Sequence, residues 1–112
     1  MNNNLPDITS ELVEKTKIIY GDKLKTVILF GSVARGDGDD FSDIDVMLLV
    51  EMDQQELKNH RRAMLDMVFE LDMKYGVLLA VVDQSSEHFE KWESVVPFYQ
   101  NVRREGVLCY AA

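Results

Sequence analysis

Apolar positions follow two different periods in the first half of the chain. Between residues 7 and 20 they recur at three- and four-residue spacing, which predicts a helix that ends at Gly21. Leu24–Phe30 and Ile44–Val50 are instead short, continuous apolar runs rich in branched side chains, as is typical of buried strands. The first half therefore predicts one helix followed by two strands, with at most one helical turn and then a polar, glycine-containing loop between the strands.

The second half of the chain continues with helical and strand patterns. These predict, in order, a long helix, a strand, a short helix, a last helix and an extended tail: Gln54–Tyr75, 77–82, 87–92, Pro97–Glu105 and 107–110. We expect Phe89 and Trp92 to turn inward from the short helix. Asp83 follows the third strand directly and is expected at its end.

The order of these elements predicts an α+β fold, a small mixed sheet covered by helices. The loop between the first two strands is too short for a helical crossover, so we expect those strands to pair antiparallel. The length of the chain favours a single domain over residues 1–112.

Composition limits the classes of function. Hydrophobic residues make up 46% and charged residues 29% of the chain, and no apolar run approaches the roughly 20 residues of a membrane span, so we expect a cytoplasmic protein without membrane contact. The formal net charge of −8 disfavours stable nucleic-acid binding, which requires a basic surface. The same charge is compatible with a metal-bridged nucleotide or a basic protein partner.

The most informative segment joins the two predicted strands. It contains Gly31 and Ser32, then ten residues, then Asp43-Ile44-Asp45. An Asp-x-Asp triplet alone is weak evidence, but a Gly-Ser pair at a fixed spacing upstream, with apolar runs on both sides, makes a chance match much rarer.

The residue types in this segment suit nucleotide chemistry. Asp43 and Asp45 point to the same side of a strand, because side chains alternate with period two, and can share Mg²⁺, which prefers oxygen ligands and substrate phosphates. Gly31 allows close approach of a phosphate, and Ser32 offers a hydroxyl donor. Arg35 either pairs with the triphosphate or contacts the loop aspartates at 37, 39 and 40. The alternative interpretation is a helix cap followed by a solvated acidic loop.

These residues carry a resemblance to a known family. The segment GSVARGDGDDFSDIDVMLLV resembles the signature of the DNA polymerase β-like nucleotidyltransferases, and more narrowly that of the minimal nucleotidyltransferases that act as antitoxins to HEPN-domain ribonucleases. The resemblance implies a nucleotidyltransferase fold and ATP as substrate. It also implies two-metal chemistry with Mg²⁺ on Asp43 and Asp45, and a third carboxylate on a neighbouring strand. The implied reaction is transfer of AMP to a tyrosine hydroxyl of a cognate HEPN toxin.

The third carboxylate is ambiguous in the sequence. Asp83 is either the third metal-binding and catalytic acid, together with Asp43 and Asp45, or a turn residue at the end of a strand. In the second case the chain would be a weakly active or inactive nucleotide-binding module that neutralises its partner by binding. A polymerase-like or tRNA-acting enzyme shares the motif, but the low basic content disfavours it.

Overall fold

The computed structural model describes residues 4–38 and 43–112. Its helices are α1 to α5, with bounds Leu5–Tyr20, Gly31–Arg35, Gln54–Tyr75, Ser86–Trp92 and Pro97–Glu105. Its strands are β1 to β4, with bounds Leu24–Phe30, Ile44–Val50, Leu79–Ser85 and Val107–Ala111. A single 3₁₀ turn, Gly21–Lys23, connects α1 to β1.

The four strands form one mixed sheet in the order β3-β2-β1-β4. As predicted, β1 and β2 pair antiparallel, and β4 also pairs antiparallel with β1. The strand β3 pairs parallel with β2, because the long helix α3 lies between them in sequence and returns the chain to the same end of the sheet. The predicted α+β fold with a small mixed sheet covered by helices is confirmed.

Each face of the sheet is covered by its own set of helices. On one face, alternate residues of β2 such as Val46 and Leu48 pack into a core with residues of α1 and α3. On the other face, Met47 and Leu49 pack against Phe89 of α4 and residues of α5. Because side chains alternate along a strand, even-numbered residues of β2 face α1 and α3, and odd-numbered residues face α4 and α5.

Helix α3 has the boundaries expected from the sequence. Asp53 caps its N-terminus by accepting a 2.8 Å hydrogen bond from the amide of Glu56, and Gly76 ends it in the left-handed conformation at φ 65°. No helix within 4–38 and 43–112 is long and apolar enough to cross a membrane.

Several details differ from the sequence predictions. Helix α1 begins at Leu5 rather than at residue 7, because Pro6 suits the first helical turn. Strand β3 starts later and continues to Ser85, so Asp83 lies inside it. Trp92 is 42% exposed rather than turned inward, although Phe89 is fully buried as expected. The tail forms β4, since the open edge of β1 offers backbone hydrogen-bond partners.

Candidate active site

The predicted Gly-Ser pair lies where β1 passes into the short helix α2. Gly31 adopts a positive φ of 76°, a conformation that L-residues with a side chain rarely adopt. A Cβ at this position would collide with Oδ2 of Asp45. The glycine is thus required twice, by the backbone turn and by the aspartate side chain that lies directly against it.

Asp45 is the second residue of β2 and lies on the face that α4 and α5 cover, and Asp43 immediately precedes the strand. Asp45 is two residues before Met47, so its side chain lies on the same face of the sheet, whereas Ile44 points into the core on the opposite face. The pKa of Asp45 is raised above its usual value, mainly by burial and next by the negative charge of Asp43. The Arg35 guanidinium has the opposite effect and lowers this pKa. The two carboxylates are close enough to repel each other, which a shared cation would relieve.

Arg35 lies at the end of α2 and contacts two acids. Its Nε donates to Asp37 Oδ2 at 3.2 Å, and its Nη1 donates to Glu105 Oε2 at 3.3 Å. The contact with Asp37 was one of the two sequence alternatives, whereas Glu105, from the end of α5, was not foreseen. The other two acids named in that alternative, at positions 39 and 40, lie outside the described residues.

The structure does not bring Asp83 to the other predicted site residues. It pairs in register with Leu48, so its side chain points into the layer of α3, on the face opposite to Asp45. There its oxygens accept hydrogen bonds from Arg61 Nε at 2.9 Å and Nη2 at 3.1 Å. This geometry argues against the metal and catalytic role predicted for Asp83, and equally against the alternative of a strand-end turn residue.

The Asp83 side chain is instead part of the packing beneath α3. It is only 8% exposed, whereas Arg61 is 40% exposed. Burial first, and the negative charge of Asp83 second, raise the pKa of the neighbouring Tyr20 to about 12. An ion pair with one buried and one solvated partner joins α3 to β3 in this region.

The position beside Asp45 on β3 is occupied by Ala80, which pairs with it in register. On the other side, Phe30 of β1 is the partner of Asp45. Within 4–38 and 43–112, no three His, Cys, Asp or Glu side chains gather as a metal site. The described donor set for a cation is therefore the pair of carboxylates at 43 and 45.

This donor set fits one Mg²⁺ bound to a nucleotide. Mg²⁺ is commonly held by one or two carboxylates, with phosphate oxygens and water completing its shell. The repulsion between Asp43 and Asp45 and the exposure of Asp43 to solvent are consistent with such a shared ion. The third carboxylate implied by the family resemblance is not present among the described residues of this site.

Comparison with known proteins identifies the family. The model of the family described as "Nucleotidyltransferase domain" matches residues 9–105. The chain belongs to the nucleotidyltransferase domain family. It is 35% identical over 103 residues to "Putative protein adenylyltransferase MJ0604" of Methanocaldococcus jannaschii, a match that covers 89% of this chain and 92% of that protein.

Two solved structures share the fold of this nucleotidyltransferase. One is described as "Crystal structure of the toxin-antitoxin with AMP-PNP"; it has a TM-score of 0.57 and 20% identity, and the match covers 91% of this chain and 73% of that one. The other, "Structure of putative minimal nucleotidyltransferase", has a TM-score of 0.53 and 22% identity over 93% of this chain and 91% of that one. The predicted nucleotidyltransferase fold is confirmed, whereas the pairing with a HEPN toxin stays a prediction.

Proposed function

We propose that this chain is a Mg²⁺-dependent adenylyltransferase that moves AMP from ATP to a hydroxyl group of a protein partner. The observation that carries the proposal is the close contact of Gly31 with Asp45, whose carboxylate also interacts electrostatically with that of Asp43. The name of the 35% identical relative, a protein adenylyltransferase, supports the reaction class. The neighbouring structure of a toxin-antitoxin with AMP-PNP supports an adenine nucleotide and a protein partner.

The proposed division of roles follows the geometry. Asp43 and Asp45 hold the cation, which neutralises charge on the triphosphate when bound. Gly31 and Ser32 leave room and offer donors for the phosphates, and Arg35 can turn from its acidic partners towards them. The acceptor hydroxyl oxygen bonds to the α-phosphorus, the bond from that phosphorus to the bridging oxygen breaks, pyrophosphate leaves, and the hydroxyl proton passes to solvent.

The acceptor we propose is a tyrosine of a cognate HEPN-domain toxin in the cytoplasm. The test incubates the chain with a HEPN ribonuclease and ATP labelled at the α-phosphate, and follows label on the ribonuclease by gel and by intact mass. We expect Mg²⁺-dependent labelling that Asp43→Asn/Asp45→Asn abolishes while the two proteins still co-purify. Absence of label from wild type and variant alike, with neutralisation of the ribonuclease unchanged, would contradict the enzymatic proposal.

A second candidate is a nucleotide-binding module that neutralises its partner by binding alone. The observation that favours it is Ala80, which lies beside Asp45 where a third carboxylate would complete a two-metal site. The variant Ala80→Asp separates the two proposals. If turnover is limited by the missing acid, the variant labels the partner faster than wild type. If binding alone neutralises the partner, Ala80→Asp leaves neutralisation unchanged.

A further inference from the structure

An aromatic pair lies beside the candidate active site. Phe30, the last residue of β1, and Phe98, in the first turn of α5, pack edge to face with ring centroids 5.6 Å apart and planes at 74°. In this geometry the edge of one ring contacts one face of the other, so the remaining ring surface stays open, and Phe98 is 44% exposed to solvent. Phe98 therefore presents aromatic surface to solvent, whereas Phe30 packs against the core beneath α4 and α5.

The position of the pair relative to the carboxylates is set by the sheet. Phe30 is the register partner of Asp45, so their side chains lie on the same face, and it immediately precedes Gly31. Directly opposite strand residues have Cβ atoms about 5 Å apart. Since the Phe98 ring centroid is 5.6 Å from that of Phe30, Phe98 lies on the order of 10 Å from Asp45. A ribose and a phosphate can bridge such a gap.

The other aromatic residues on this side of the sheet have a packing role, whereas Phe98 is partly exposed. Phe89, Tyr99 and Val102 are buried in the core beneath α4 and α5. A singly exposed apolar residue is ordinary on a protein surface, and Val95, 63% exposed just before α5, is an example. Phe98 differs because its ring packs against Phe30, whose backbone leads directly into the Gly-Ser turn, and against the buried Tyr99 at a centroid distance of 6.1 Å.

The chemistry of the surface restricts what it can bind. An uncharged aromatic ring stacks on purines and pyrimidines without requiring counter-charge, so an acidic chain can hold a base there. Phosphates, in contrast, require positive charge, which the cation at the carboxylates and Arg35 supply. The arrangement matches a nucleotide with its triphosphate at the carboxylates and its base directed towards the start of α5.

We propose that Phe98, packed against Phe30, is the stacking platform for the base of the nucleoside triphosphate. This inference rests on the proposed function and deepens it, because it assigns the base subsite of the same site. Stacking discriminates weakly among bases, since every base has a π-face. Phe98 therefore contributes affinity for a nucleotide over a bare polyphosphate.

The test is isothermal titration in Mg²⁺ of wild type, Phe98→Ala, Phe98→Tyr and the control Val95→Ala, each with ATP and with inorganic tripolyphosphate. We expect Phe98→Ala to weaken ATP binding about ten-fold and to leave tripolyphosphate binding unchanged. Phe98→Tyr and Val95→Ala should bind both ligands as wild type does. Melting temperatures of all four proteins show whether each variant is folded at the titration temperature.

The outcomes separate this inference from the proposed function. If wild type binds both ligands and Phe98→Ala binds ATP equally well, the stacking platform is refuted and the phosphate site stands. If Phe98→Ala loses both ligands in parallel, Phe98 acts by supporting the fold of the site, which also refutes stacking. If wild type binds neither ligand, the proposed function and the platform both fail.

Discussion

Replacement of Asp83 by Asn separates the structural role found for this residue from the metal role predicted from the sequence. In wild type the two carboxylate oxygens of Asp83 accept hydrogen bonds from Arg61, at 2.9 and 3.1 Å. The variant keeps the volume of the side chain but removes its negative charge. Because Asp83 is 8% exposed and Arg61 is 40% exposed, the pair is intermediate between a surface pair and a buried one.

The expected loss of stability follows from this intermediate position. Exposed ion pairs contribute about 0.2–1 kcal/mol, and breaking a fully buried pair costs about 3–5 kcal/mol. We therefore expect Asp83→Asn, which retains an acceptor for Arg61, to lower the free energy of unfolding by about 1–2 kcal/mol. For a domain of this size that corresponds to a fall in Tm of roughly 4–8 °C. Affinity for Mg²⁺-ATP should not change, because the side chain faces away from Asp45.

The assay combines urea unfolding with isothermal titration of ATP in Mg²⁺. The matched control is Asp66→Asn on the exposed side of α3, whose carboxylate is 72% exposed and 3.6 Å from Arg62. We expect this control to change stability by less than about 0.5 kcal/mol. The reasoning is refuted if Asp83→Asn abolishes Mg²⁺-ATP binding while its unfolding curve matches that of wild type.

Two further substitutions test the geometry around the carboxylates. Gly31→Ala should weaken Mg²⁺-ATP binding at least about ten-fold, because the new Cβ displaces the Asp45 carboxylate from its place. Its control is Gly36→Ala, because Gly36 has a similar positive φ of 80° but open space where the new Cβ would lie. We expect this control to bind Mg²⁺-ATP as wild type does in the same titration. Equal losses of affinity in both variants would show that backbone strain alone is responsible. Glu105→Gln should strengthen ATP binding by up to about five-fold in the same titration, because Arg35 loses a competing partner worth at most about 1 kcal/mol. Weaker binding would mean that Glu105 positions Arg35 for the nucleotide.

The sequence predicted most of the fold because local patterns determine most of its elements. The bounds of β1, β2, α3 and α5 are predicted correctly, since each is an apolar run or stripe, and a glycine follows β1, α3 and α5. The strand β3 was placed too early because its polar end, with Asp83, Gln84 and Ser85, does not look like a strand. Its boundaries depend on pairing with β2, which local sequence does not encode.

The candidate site was predicted only in the part that is local in sequence. Asp43 and Asp45 are two residues apart in sequence, and Gly31, one loop upstream, lies directly against Asp45. The register of β3 on β2 decides instead that Ala80, and not Asp83, lies beside Asp45. Phe98 and Glu105 reach the site from α5, and such contacts between distant segments leave no spacing signal in a single sequence.

The central claim is that Asp43 and Asp45 form a metal-dependent nucleotide site, and its most direct test is titration of ATP with and without Mg²⁺. We expect wild type to bind ATP only when Mg²⁺ is present, and Asp43→Asn/Asp45→Asn to lose that binding. The control Asp66→Asn/Glu70→Gln removes the same charge from exposed positions on α3 and should bind as wild type. Equal ATP affinity in wild type and the Asp43→Asn/Asp45→Asn variant, or binding that is independent of Mg²⁺, would contradict the account.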